Sequence, residues 1–217
     1  MVNIFPFKGW RFNTDIVSDL SQVIAPPYDV INDADQSALY ERSPYNYVRI
    51  ILNRSAGNER YSEAEKTFSE WKKNEILIQD TDPSVYLLCQ SFLQGEQQIE
   101  RTGFITKLKI TKLGGQVLPH EQTISKHIKD RYNLMKATKA NTGQIFMSYR
   151  DQTRTVESIL EAYEDDIPLV DVVLDGIQYR LWRLTDEGQI NTIQNVLAGT
   201  KAIIADGHHR YKTAYQY

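Results

Sequence analysis

Proline, histidine and glutamate stand together at Pro119, His120 and Glu121, and an aspartate, a glycine, two histidines and an arginine run from Asp206 to Arg210. The chain has four histidines, and the one outside these runs, His127, follows the first closely. Histidine changes charge nearest to neutral pH, so its confinement to two polar stretches marks them as places for proton or phosphate chemistry. The second stretch follows an apolar strand, Lys201 to Ala205, turns at Gly207, and opens an amphipathic helix. That is the layout of a phosphate cradle: glycine lets backbone approach an anion, and the first amides of a helix point out of it. A helix dipole is worth only about 0.3–1 kcal/mol in an exposed setting. Arg210 therefore matters, because a guanidinium adds charge-assisted, bidentate hydrogen bonds to phosphate. Gly207, His208, His209 and Arg210 form the expected nucleotide-phosphate contacts.

Elements of two kinds must position these motifs. Ser21–Ala25 reads as a short strand running into Pro26 and Pro27, which fix an extended turn before Tyr28 and Asp29. Asn32–Tyr40 reads as a helix, Tyr47–Leu52 as a strand, and Ser62–Asn74 as a helix burying Ala64, Phe68 and Trp71 on one face. Val85–Phe92 and Thr102–Ile110 form an expected hairpin about Gln94, Gly95 and Glu96. Asp130–Ala140 reads as a helix, Gln144–Tyr149 as a strand and Thr155–Tyr163 as a helix. A strand pair at Val170–Leu174 and Gln178–Leu184, and a helix at Asn191–Leu197, complete the pattern. The expected class is α+β, a mixed or antiparallel sheet with flanking helices. A division near residue 100 is expected, with the Pro-Pro-Tyr-Asp segment in 1–100 and both polar motifs in 101–217.

Bulk properties narrow the partners. The 217 residues carry a net charge of −3 and are 41% hydrophobic, enough for a core. The balance lacks the basic footprint of a nucleic-acid binder, so an anion must be met by local groups. No apolar run reaches the roughly 18–20 residues that span a bilayer, and the amino terminus lacks a secretory layout, so a cytoplasmic protein is expected. The single cysteine, Cys89, lies in a strand-like run and reads as a small buried hydrophobe. The chain ends at Tyr217, about two turns into its last expected helix with no stop signal, the layout of a protein cut short.

Ala25 to Ile31 (APPYDVI), Pro119 to Thr123 (PHEQT), Asp130 with Arg131, and Ile204 to Ala214 (IADGHHRYKTA) resemble a widespread family of uncharacterised bacterial and archaeal proteins, domain of unknown function one thousand and fifteen. The PHE and DGHHR motifs, in that order, are also similar to those of the free-serine kinases (SerK-type) of the ParB-like superfamily, which includes sulfiredoxin. The first resemblance runs through essentially the whole chain, the second rests on the two motifs. It implies a ParB/sulfiredoxin-like nucleotide-binding region in the C-terminal half. It also implies phosphoryl transfer from a nucleotide, ATP or ADP, with Mg²⁺, to the hydroxyl of free L-serine.

A serine hydroxyl is a poor nucleophile at neutral pH, and a base that takes its proton is typically worth about 10²–10⁴ in rate. Glu121 is the expected base, with His120 orienting the acceptor or a phosphate. Asp206 would serve the acceptor or Mg²⁺, which is carried largely by phosphates and one or two carboxylates. Tyr28, Asp29 and Arg131 are expected substrate contacts. A zinc hydrolase would need His-Glu-x-x-His, and Glu121 is followed by Gln122, Thr123 and Ile124. A sulfiredoxin-like reductase would place cysteine in the phosphate turn, where His208 stands. A nucleotide-binding regulatory module without turnover is the non-enzyme alternative.

Overall fold

The computed structural model describes residues 1–121 and 125–217, the side chains of 122–127 excepted. Strands β1 (Ile4–Phe5) and β2 (Trp10–Phe12) precede helices α1 (Asp33–Arg42), α2 (Val48–Ile51) and α3 (Glu59–Lys73). Then come β3 (Leu77–Gln79), β4 (Val85–Gln94), β5 (Gln97–Ile105), β6 (Lys107–Leu108) and β7 (Val117–Leu118). After α4 (Ser125–Thr138) follow β8 (Phe146–Tyr149), α5 (Thr155–Glu161), β9 (Val170–Leu174), β10 (Ile177–Leu184), α6 (Glu187–Ala198), β11 (Ala202–Asp206) and α7 (His208–Gln216). The class is α+β, as expected, but the strands divide among four small sheets instead of joining one.

Local chemistry accounts for most of these boundaries. Asn32 Oδ1 accepts from the Asp35 amide at 2.9 Å and Asp35 returns the bond to Asn32, a reciprocal cap that starts α1. Asp186 caps α6 by accepting from the Gln189 amide at 2.7 Å. The hairpin of β4 and β5 closes with Gln94 opposite Gln97, and Gly95 takes the left-handed φ of 65° that the turn requires. Cys89 is buried in β4.

Two expected strands are not strands. Tyr47–Leu52 contains α2, and Ser21–Ala25 is replaced by a 3₁₀ turn at Leu20–Gln22. Side chains set both outcomes. Asp19 accepts from the Ser21 amide at 2.9 Å and its hydroxyl at 2.6 Å, which curls the first segment. Asn46, fully buried, accepts from the Val48 amide at 3.1 Å and donates to the Gln22 carbonyl at 2.8 Å, which starts the second as a turn. A segment as short as Val48–Ile51, with Arg49 inside it, has no periodicity to oppose that choice.

The chain forms two compact units that do not coincide with a division near residue 100. The first comprises Met1–Gly9, Asp80–His120 and Phe146–Asp206, the second Trp10–Gln79, Glu121–Ile145 and Gly207–Tyr217. In the first, the antiparallel sheet β5-β4-β10-β9 packs Val85, Leu87, Trp182 and Leu184 against Val156 and Leu160 of α5 and Ile190, Ile193 and Leu197 of α6. A separate three-stranded sheet, β7-β11-β8, is mixed: β11 runs parallel to β7 and antiparallel to β8. In the second unit, Val17, Val23, Ile50, Phe68, Trp71, Ile76 and Leu77 form the core, with Phe12 and Tyr45 stacked around Trp71. No described helix is long and apolar enough to cross a membrane.

Candidate functional site

The two polar motifs begin side by side in the first unit. Parallel pairing sets Ala202 opposite Val117 and Ile203 opposite Leu118, so Pro119–His120 and Ile204–Asp206 leave the carboxyl ends of adjacent strands. His120 Nδ1 lies 2.6 Å from the Ile204 carbonyl oxygen. A carbonyl only accepts, so Nδ1 carries the hydrogen of this contact. Asp206 is exposed at the end of β11, just beyond a break in register with β8 after Ile204.

Both motifs continue in the second unit, which begins its segments at Glu121 and Gly207. Gly207 has φ 91° and precedes the first residue of α7, a conformation strained for any other residue type. The Arg210 side chain folds back over this glycine: a Cβ at position 207 would lie 3.0 Å from Nε and 3.1 Å from Cζ. Arg210 Nη1 donates to the Gln144 carbonyl, and the Arg210 Cδ lies 3.5 Å from where a Cβ of Gly143 would be. The loop at Gly143–Gln144 thus holds the guanidinium over the start of α7. Sequence reasoning did not find this loop; the Asn-Thr-Gly run at 141–143 signals a turn without naming its partner.

His208, the first residue of α7, is buried at 2% exposure, and its Nδ1 lies 3.5 Å from Glu121 Oε2. The Glu121 side chain is 64% exposed. A buried imidazole and an accessible carboxylate thus approach one another at the start of α7. His209 follows half-buried in the same turn. Residues 122–124 and the His127 side chain lie outside the described residues.

A cationic cluster gathers Tyr28 and Arg131. The Arg131 guanidinium sits 3.7 Å from the centre of the Tyr28 ring, and Arg131 is buried at 8% exposure. Its Nε donates to Asp130 Oδ2 at 2.8 Å, Nη2 donates to the same oxygen, and Nη1 donates to the Ile51 carbonyl at 2.9 Å. All three nitrogens are thus engaged, and the guanidinium face serves as a clamp on Tyr28. Asp130 also accepts from Arg60 at 2.5 Å and from the Tyr61 hydroxyl at 2.8 Å, two residues that sequence reasoning missed because they lie 70 and 69 positions away. Burial by itself raises the Asp130 carboxyl, but Arg131, Tyr61 and Arg60 together outweigh it and hold the group below its ordinary value. Burial pushes the Tyr28 hydroxyl up, opposed by Arg131 and, more weakly, by Arg210, which puts Tyr28 and Arg210 within one another's field. Asp29 is exposed beside Tyr28.

The family model described as a protein of unknown function, DUF1015, matches residues 4–217. The chain belongs to this family. No curated protein and no solved structure matches it. The DUF1015 match takes in every segment just described, including the Tyr28 turn, both polar motifs and the Asp130–Arg131 pair.

For a divalent cation the donor set is open. Among the described residues, one group of three His, Cys, Asp or Glu side chains has its ligand atoms together, Cys89, Glu100 and Glu164, far in sequence from Asp206. Arg180 already places a guanidinium 3.5 Å from Cys89 Sγ and 3.2 Å from Glu100. Asp206 is exposed and is not part of that group.

Proposed function

We propose that the protein is a small-molecule kinase that transfers a phosphoryl group from a nucleotide, ATP foremost, to the hydroxyl of free L-serine. The observation that carries this reading is the accessible Glu121 carboxylate 3.5 Å from His208 at the start of α7, in the same unit as Arg210 folded over Gly207. The likeness of the PHE and DGHHR motifs to the free-serine kinases of the ParB-like superfamily supports the choice of acceptor. Glu121 takes the proton from the serine hydroxyl as the oxygen forms its bond to the terminal phosphorus. The bond from that phosphorus to the bridging oxygen breaks, and the shorter nucleotide leaves with the electron pair. Arg210, His209 and the first-turn amides of α7 meet the charge on the phosphoryl oxygens. The motif likeness assigns His120 to orienting the acceptor or a phosphate. Asp206 would help hold Mg²⁺ brought by the nucleotide phosphates, and the ion would neutralise phosphate charge. Tyr28 and Asp29 contact the acceptor, and Arg131 holds Tyr28 in place.

The test measures O-phosphoserine from L-serine with ATP and, separately, ADP in the presence of Mg²⁺. Glu121→Gln is expected to keep nucleotide affinity and lower turnover by about 10²–10⁴. Unchanged turnover would remove Glu121 from the role of base. Nucleotide binding by the unaltered protein without phosphoserine would replace the kinase with a ParB-like regulatory module.

A further inference from the structure

An open cleft of about 420 Å³ lies between α3 and α4, lined by Asn58, Tyr61, Asn133, Lys136 and Ala137. We infer that this cleft receives the base of a purine nucleotide, an assignment that rests on the nucleotide reading above and adds a base-recognition subsite to it. It is shallow and open to solvent, so it would take a flat group laid against its wall and would not enclose a whole ligand.

The lining selects a flat heterocycle. Tyr61 is half-buried, its hydroxyl is tied to Asp130 at 2.8 Å, and the Arg60 guanidinium lies 4.9 Å from the ring centre. The ring is thereby locked as an aromatic wall rather than a swinging side chain. Stacking on such a wall suits any base. Asn58 and Asn133 bring amides, each a donor and an acceptor at once, and neither amide nor Lys136 bonds to a described residue. An amide's paired donor and acceptor match the N6 and N7 edge of adenine, whereas a bare anion has no use for the acceptor half.

Position agrees with that occupant. Asn133, Lys136 and Ala137 fall at i, i+3 and i+4 of α4 and share one face. Asp130, one turn earlier, joins Tyr61 to Arg131, which clamps Tyr28 in the field of Arg210. Contacts thus run from the cleft wall through Asp130 and Arg131 to Tyr28, in the same unit as Arg210. Lys136, the cleft's one charged wall residue, complements the ribose hydroxyls or the first phosphate.

The experiment compares ADP with pyrophosphate by calorimetric titration, in the unaltered protein and in Tyr61→Leu and Asn133→Ala, with photo-crosslinking by 8-azido-ADP mapped by mass spectrometry. ADP is expected to bind more tightly than pyrophosphate. Each substitution is expected to weaken ADP about tenfold while changing pyrophosphate less than about twofold. The crosslink is expected on 58–61 or 133–137. Asn133 is half-buried on a helix surface, so its variant keeps the comparison informative if Tyr61→Leu fails to fold. Equal affinity for ADP and pyrophosphate, or a crosslink elsewhere with ADP affinity unchanged in Asn133→Ala, overturns the base subsite and leaves phosphate binding at Arg210 intact. Binding of neither ligand by the unaltered protein overturns both readings.

Discussion

Gly207 and Asp130 show how much single residues contribute to the candidate site. A side chain at position 207 meets two penalties, the positive φ and a guanidinium at 3.0 Å. Gly207→Ala is therefore expected to destabilise the protein by about 1–2 kcal/mol and to push Arg210 off the helix start. A thermal melt reads the first effect and a pyrophosphate titration the second; an unchanged titration would separate Arg210 from phosphate binding. Asp130 has a depressed carboxyl, so its contribution to stability is complete above the unfolded value of roughly 3.9 and disappears as pH falls through the lower folded value. Asp130→Asn is expected to cost about 2 kcal/mol at neutral pH and to lessen the loss of stability on acidification below about pH 4. Urea titrations of both proteins across that range check it; parallel pH profiles would show that the carboxylate is not stabilising. The sequence displayed Asp130 beside Arg131, but their roles depend on Arg60, Tyr61 and Ile51, which no local pattern connects to them.

At the scale of elements, periodicity located the long helices and the β4–β5 and β9–β10 pairs, because their apolar faces are set by local spacing. It misread Tyr47–Leu52 because so short a segment, with Val48, Ile50 and Ile51 buried, suits a strand or a buried turn of helix equally. The polar residue in front decides. Asn46→Ala removes the bonds to Val48, Gln22 and Ile24 together and leaves buried backbone groups unsatisfied, so a loss of about 2–3 kcal/mol is expected from denaturant unfolding. A loss below about 0.5 kcal/mol would mean that the apolar run selects the helix by itself. The pairing of β7 with β11 was equally hidden: a two-residue strand carries almost no pattern, yet it places both motifs on neighbouring strand ends.

Across the whole molecule, each unit is assembled from three separated segments, and both draw on either side of residue 100. A fragment of residues 1–100 would contain β4 without β10 and α3 without α4, leaving Val85, Leu87 and the Tyr61 face without their native neighbours. It is expected to lack a cooperative transition and to show collapsed amide dispersion by NMR, since a chain of that size has little stability to spare. A cooperatively folded fragment would show that the first half carries a core of its own. The sequence by itself determined the α+β class, the main helices and hairpins, and the two polar motifs, because residue type, local spacing and turn chemistry act over a few positions. Only the tertiary structure decided that β7 and β11 run side by side, that His208 comes near Glu121, that Gln144 holds Arg210, and that Arg60 and Tyr61 complete the Asp130 cluster. Those contacts join residues tens of positions apart, and burial of apolar surface within each unit, not any local propensity, selects which distant groups meet.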